Sequence, residues 1–147
     1  FRRVLFRSFW SCSGMPLAHL AIGSRDVIGT SKFLCETMRW KPIHAPSNVP
    51  RSVAWIDMSA ALDGSQQIHV IHVPDFEVSP FEREFGRHFA VFHDGSDMGA
   101  LRERLKGAGA ELMDPIRPTP FERFFFREPV NGYVFEVINQ DQWREEQ

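Results

Sequence analysis

One feature limits the fold more than any other: the chain repeats itself. His88 follows His19 by 69 positions, and Glu136 follows His69 by 67. An aspartate trails each first histidine, Asp26 in the first half and Asp97 in the second. Offsets held this closely at several points mark an internal duplication, so the expected fold is two copies of one unit.

Hydrophobic periodicity gives the unit. Residues 16–24 (PLAHLAIGS) form a short apolar run and read as a strand. In 26–40, Val27, Phe33, Leu34 and Met38 recur at helical spacing, with Ser24 or Asp26 as N-cap. KPIHAPSNVP, 41–50, reads as a short strand and a loop. Strands follow at 53–58 and 67–73, separated by a turn at 62–65. The long connection 74–86 is the seam. The second half repeats the plan: strand 87–92, helix 97–105 stopped by Gly107 and Gly109, strand 111–116, a Pro-rich loop, strand 123–127, a tight turn 128–132 and strand 133–138. The class is α+β, built of two βαβββ modules. DQWREEQ, 141–147, reads as a short helix or a frayed tail.

Length and composition agree with one domain. At 147 residues the chain can bury a core without disulfides or a structural metal. Residues 1–14 (FRRVLFRSFWSCSG) are basic and aromatic, lack a long apolar centre and make a poor signal peptide. Met15-Pro16 reads as a natural start, and RRVLFRS resembles translated adapter DNA. Residues 1–14 are therefore expected outside the fold, as a non-native or disordered extension. The domain is expected over 15–140, module one at 15–74 and module two at 86–140. A formal net charge of −2 with mixed signs favours neither a polyanion nor an anionic membrane as partner. No stretch approaches the roughly 20 apolar residues of a membrane helix. Cys12 and Cys35 form no CxxC, which predicts a reduced, cytoplasmic protein with Cys35 as a core thiol. No P-loop or dinucleotide fingerprint is present.

The chemistry lies in four polar residues set in apolar rows. Side chains alternate along a strand, so His19 shares a face with Leu17 and Ala21, His69 with Gln67 and Ile71, His88 with Ala90 and Phe92, and Glu136 with Val134 and Ile138. Singly, each histidine is more often a hydrogen-bonded core or surface residue than a ligand. Together they sit at repeat-related positions, and a buried carboxylate needs a cation or hydrogen bonds to offset its desolvation. A divalent ion meets that need. Three imidazoles and a carboxylate suit Zn, Ni, Co, Fe or Mn rather than Ca or Mg. His69 could also stand back, leaving a two-histidine, one-carboxylate set.

These residues carry a resemblance. LAHLAIGS, QQIHVIHV, GRHFAVFHDG, the helix DMGALRERLKGAGAEL and the ending FFFREPVNGYVFEVIN together resemble the vicinal oxygen chelate superfamily, over about residues 16–139. That superfamily includes glyoxalase I, methylmalonyl-CoA epimerase, extradiol dioxygenases and fosfomycin and bleomycin resistance proteins. The resemblance implies curved mixed-sheet half-barrels around a metal site, His19, His69, His88 and Glu136 as ligands, and a homodimer. The fourth-strand position, usually Glu or Gln in the glyoxalase branch, is His69 here. The usual DPDGN turn appears as EPVNG, 128–132, where Asn131-Gly132 still permits positive φ.

The resemblance further implies a small-molecule substrate with adjacent oxygens and a lyase or isomerase of the glyoxalase type. Glu136 is the expected proton acceptor. Alternatives are an Fe(II) extradiol-type dioxygenase, a drug-sequestering resistance protein and, ranked lower, thiol transfer to fosfomycin. Trp55, Phe92 and Phe125 are candidates to line a pocket, although core packing is the commoner role for such rings. Arg123 is a candidate to contact an anionic substrate. His72 and His93 are expected to face away from the metal, His44 to lie on the surface, and the loop 74–85 to cover the site or the core.

Overall fold

The computed structural model describes residues 17–50, 52–60, 63–79 and 82–147. The expectations for residues 1–14 and Cys12, and for the first residue of the turn 62–65, lie outside the described residues. Module one is β1 (His19–Ser24), α1 (Val27–Met38), β2 (Lys41–Ile43), β3 (Val53–Asp57) and β4 (Gln67–His72). Module two is β5 (Phe89–His93), a single 3₁₀ turn (Gly95–Asp97), α2 (Met98–Gly107), β6 (Glu111–Met113), β7 (Arg123–Arg127) and β8 (Val134–Asn139). A last helix, α3 (Gln140–Glu145), resolves the tail as helical: the Asn139 side chain accepts from the Asp141 and Gln142 amides and caps it.

Each module folds into one four-stranded sheet, and the strand orders correspond: β1-β4-β3-β2 and β5-β8-β7-β6. In both, the first strand runs parallel to the last and the other pairs are antiparallel. The duplication read from the histidine offsets is thus a duplication of topology. β1 and β5 are edge strands of their sheets.

Local chemistry sets the boundaries. Asp26 caps α1 by accepting from the Gly29 amide. The helix stops at Met38, two residues short of the sequence expectation, because Arg39 takes a left-handed conformation with φ 60°. α2 stops where Gly109 turns to φ +85°, which lets the Gly109 and Ala110 amides return to the Lys106 and Leu105 carbonyls. Strand β6 ends at Met113 rather than 116, and β5 begins at Phe89, leaving His88 just ahead of it. In the EPVNG turn Gly132 has φ +92°, and the buried Glu128 carboxylate accepts from the Val130, Asn131 and Tyr133 amides.

Both modules bury their helix-facing rows in one core. It joins Ile22, Ile56, Ile68 and Val70 of the first sheet to Phe124, Phe126, Phe135 and Val137 of the second, with Phe33, Leu34, Leu101 and Leu105 from α1 and α2. Cys35 is only half-buried beside this core, and burial raises its thiol above the usual range. Polar links cross the seam: Tyr133 donates to the Gly23 carbonyl at 2.9 Å and Asn131 to Thr30 Oγ1 at 2.8 Å. Arg104 of α2 donates to the Thr37 carbonyl of α1 at 2.9 Å and grips Asp97 with both terminal nitrogens. His93 adds a contact to Asp97 at 2.8 Å.

This grip should be visible in acid. The Arg104 hydrogen bonds, followed by that of His93, hold the Asp97 carboxyl far below the usual carboxylate range against the opposing effect of burial. A pKa depressed on folding contributes stability above the unfolded value, near 4, and that contribution is lost as pH falls through the folded value. Asp97→Asn should therefore cost about 1–2 kcal/mol at pH 7, solvent screening included. In urea titrations at stepped pH, the gap between wild type and variant should narrow steadily below about pH 4. A gap constant down to pH 2 would show that the charge of Asp97 is not what holds this link.

Candidate functional site

Every candidate ligand sits on the face opposite the helix-covered core. In module one the core takes Leu20 and Ile22 from β1 and Ile68 and Val70 from β4, so His19 and His69 emerge on the other side. In module two the core takes Phe124, Phe126, Phe135 and Val137, which turns Phe125 and Glu136 the other way. Both faces carry exposed apolar side chains beside the candidates: Leu17 and Ile71 in module one, and Phe92, 51% exposed, in module two.

In module one, β1 and β4 pair in parallel and bring His19 and His69 into ring stacking at 4.3 Å. Trp55, opposite His69 in the β3–β4 register, stacks on it from the other side at 4.0 Å. His69 is thereby held between two rings, and Trp55 supports a candidate ligand rather than the core. Gln67 contacts His69 Nε2 through its Oε1 at 3.0 Å, while its amide nitrogen donates to the Gly64 carbonyl. That orientation makes Gln67 the acceptor, so Nε2 carries the ring proton and Nδ1 keeps the lone pair. Burial, then the neighbouring His19, lowers the His69 pKa, which favours the neutral imidazole a metal requires.

In module two, His88 points Nδ1 at the Gly86 carbonyl, 3.2 Å away. A carbonyl only accepts, so Nδ1 carries the proton and Nε2 is free to face Glu136 Oε2 at 3.3 Å. A proton or a cation between the two atoms removes the repulsion of their lone pairs. Two ligand atoms each about 2.0–2.2 Å from one ion stand about 3.0–3.5 Å apart, so the separation fits a shared metal. A metal-bound histidine commonly has its second nitrogen fixed by a carbonyl, as here. Phe125 packs edge-on against His88 at 5.3 Å and is fully buried opposite Glu136.

The cation that the buried Glu136 needs is partly supplied by the chain. Arg123, with 2% of its side chain exposed, donates from Nη1 to Glu136 Oε1 at 2.6 Å. Its Nη2 meets Glu84 and the Arg117 carbonyl. The sequence offered Arg123 as a contact for an anionic substrate, with ion pairing the commoner role of such an arginine; the structure buries it between two carboxylates. Desolvation opposes its charge, but the bonds to Glu136 and Glu84 outweigh that and raise its pKa. Glu84 went unnoticed in the sequence because nothing in a loop carboxylate announces a partner 39 residues away.

The structure brings the four candidates together as two pairs. Among the described residues no three His, Cys, Asp or Glu side chains gather to hold one ion. His72 and His44 are exposed, His72 on the opposite face from His69, and His93 is engaged with Asp97. The described part of the 74–85 loop both covers core, through Phe76 on Tyr133 at 5.4 Å, and reaches the site, through Glu84. No described helix is long and apolar enough to cross a membrane.

A family model described as the Glyoxalase/Bleomycin resistance protein/Dioxygenase superfamily matches residues 17–137. The chain belongs to this superfamily. That span of the glyoxalase-superfamily model runs from just before β1 well into β8, so it takes in both modules. Among solved structures, the chain is similar to the genomically encoded fosfomycin resistance protein FosX of Listeria monocytogenes, with TM-score 0.64 and 18% identity over 89% of this chain and 97% of that one. A point mutant of the same FosX, complexed with Mn(II) and 1S,2S-dihydroxypropylphosphonic acid, gives TM-score 0.63 and 19% identity over 88% and 95%. A possible glyoxalase from Bacillus cereus gives TM-score 0.58 and 17% identity over 85% and 99%. At such identities these likenesses establish the shared fold. No curated protein matches the sequence.

Proposed function

We propose that the protein is a divalent-metal-dependent lyase or isomerase of the glyoxalase type, acting on a small molecule with two adjacent oxygens. The observation that carries this reading is the half-site of module two. There, His88 Nε2 and Glu136 Oε2 stand 3.3 Å apart with the other histidine nitrogen tied to a carbonyl. His19 and His69 supply the second pair. Because both pairs lie on faces turned from the core and beside exposed apolar residues, the complete site forms between two copies of the chain. The Mn(II) held by a FosX of the same fold supports a transition metal here.

A divalent ion held by His19, His69, His88 and Glu136 would supply Lewis acidity to the substrate oxygens. Arg123 occupies Oε1 and holds the carboxylate in place, so Oε2 is the oxygen that would hold the ion and, when released from it, would accept the substrate proton. Trp55 and Phe92 flank the substrate on the two ligand-bearing faces, and Phe125 fixes His88 from behind. The half-buried free Cys35 supports a cytoplasmic setting.

Elemental analysis of protein purified without added metal or chelator tests this. About one transition-metal ion per chain is expected in wild type, and at least a tenfold lower content in His19→Ala and Glu136→Gln. Iron would turn the reading to the dioxygenase; manganese, nickel, zinc or cobalt would support the lyase or isomerase. One observation favours a second reading, a non-catalytic small-molecule binder: Arg123 already compensates Glu136. Wild type that stays metal-free after reconstitution with several divalent ions would establish that reading instead.

A further inference from the structure

The two modules do not fill all the space between them. A cavity of about 210 Å³ lies between β1 and β5, the first strand of each module. These strands edge different sheets, so no ladder of hydrogen bonds draws them together and side chains alone close the seam. Leu20 of β1 and Val91 of β5 contribute walls. The buried Ile68 and Phe135 close the inner end. Leu17, His88 and Ala90 reach the surface and frame the outer end.

His88 is the one ionisable side chain in this lining. It is also the histidine whose Nε2 faces Glu136. The cavity therefore begins at the ligand-bearing pair of module two and runs into apolar interior. Ala90 follows His88 by two residues and lies across from Glu136 in the β5–β8 register. A longer side chain there would stand between the carboxylate and the cavity. Empty apolar space leaves the lining atoms without contacts on one side, and a group that enters restores them. A charged or strongly polar group would lose its hydration there with no partner but His88. A dry apolar cavity of about 150 Å³ admits benzene, so one of about 210 Å³ admits, in proportion, an apolar group of about eight carbons.

We propose that this cavity binds the apolar substituent of the small-molecule substrate, an aryl or alkyl group of about six to eight carbons. The inference rests on the metal-enzyme reading and narrows its substrate to compounds with two adjacent oxygens at one end and such a group beside them. The oxygens stay at the His88–Glu136 pair, and the substituent passes Ala90 into the seam. A compound that carries only a methyl group leaves most of the cavity empty and is selected against.

Benzene is the first probe, added to metal-free protein while the methyl resonances of Leu20 and Ile68 are followed by NMR. Both should shift and saturate, and the methyls of Ile28, exposed on α1, should not. Benzohydroxamate and acetohydroxamate, which present the same adjacent oxygens, are then titrated calorimetrically into protein incubated with Mn(II) and desalted. The phenyl compound should bind at least about tenfold more tightly. Val91→Phe fills the cavity with a ring of its own, so it should abolish the benzene shifts and bring the two hydroxamates within about threefold. Ala90→Leu obstructs the mouth from the exposed row and takes its place if Val91→Phe does not fold. Absent benzene shifts in wild type would overturn the proposal. So would shifts that fade with rising protein concentration, which would give the cavity to a side chain of a second copy. Benzene binding without a preference for benzohydroxamate would reduce the cavity to a packing void and overturn it too. None of these outcomes bears on metal content, so the metal reading survives them. The same hydroxamate preference in protein that retains no ion would remove the metal reading and uphold the cavity.

Discussion

Arg123→Met is expected to lower the unfolding free energy by about 3–5 kcal/mol, measured by guanidinium titration at pH 7. Methionine keeps most of the side-chain length, so the loss comes from charge and not from a void. Two carboxylates, Glu84 and Glu136, lean on this guanidinium with 7% and 10% of their side chains exposed. Without it each is a buried anion short of a partner. Nor would burial of the neutral acids be free, because the Arg117 carbonyl also loses its donor. Arg123→Lys should recover less than half the loss, since a point charge on one nitrogen does not span both carboxylates as the planar fork does. A loss below about 1 kcal/mol for Arg123→Met would place this cluster in the class of solvated ion pairs.

Phe126→Ala should cost about 3–5 kcal/mol, or roughly 10 °C or more in melting temperature. The ring is fully buried, stacks on Phe135 at 5.1 Å with an interplanar angle of 7°, and meets Phe33 of α1 at 6.2 Å. It therefore joins the second sheet to the helix of the first module. Truncation removes apolar area and leaves a cavity among residues already fixed by neighbours, including Trp40 against Phe135. If thermal unfolding of the variant split into two transitions, the modules would be separable units joined by this ring. A single, lower transition is the outcome the shared core implies.

Much of the fold could be read locally. Alternation along PLAHLAIGS and QIHVIHV, and the helical spacing of Phe33, Leu34 and Met38, placed the strands and α1 within a few residues. The errors fell at ends. Arg39 stops α1 by adopting a left-handed conformation, which its side chain does not signal. His88 falls outside β5 because its ring turns back to the Gly86 carbonyl, and strand pairing with β8 starts only at Phe89.

The site was legible as a set of residue types and faces. Parity set His19, His69, His88 and Glu136 each in an apolar row of its strand, since a period of two leaves a strand residue only two choices; that these rows face away from the helix-covered core came from the packing. The structure sets Arg123 on the face of Glu136, a pairing not legible in the sequence. The β7–β8 register, which sets Phe125 across from Glu136, is a non-local quantity. The same holds for Glu84, whose partners come from two distant segments.

From sequence by itself follow the duplicated βαβββ order, the apolar stripe of α1 and the four polar residues set in apolar strand rows, because each depends on near-neighbour periodicity. Only the tertiary structure decided that the four candidates stand as two pairs, that a buried guanidinium compensates Glu136, and that Glu84 shares that guanidinium. Those outcomes depend on sheet register and on how one module packs against the other, and distances across such interfaces are not encoded in any local run of residues.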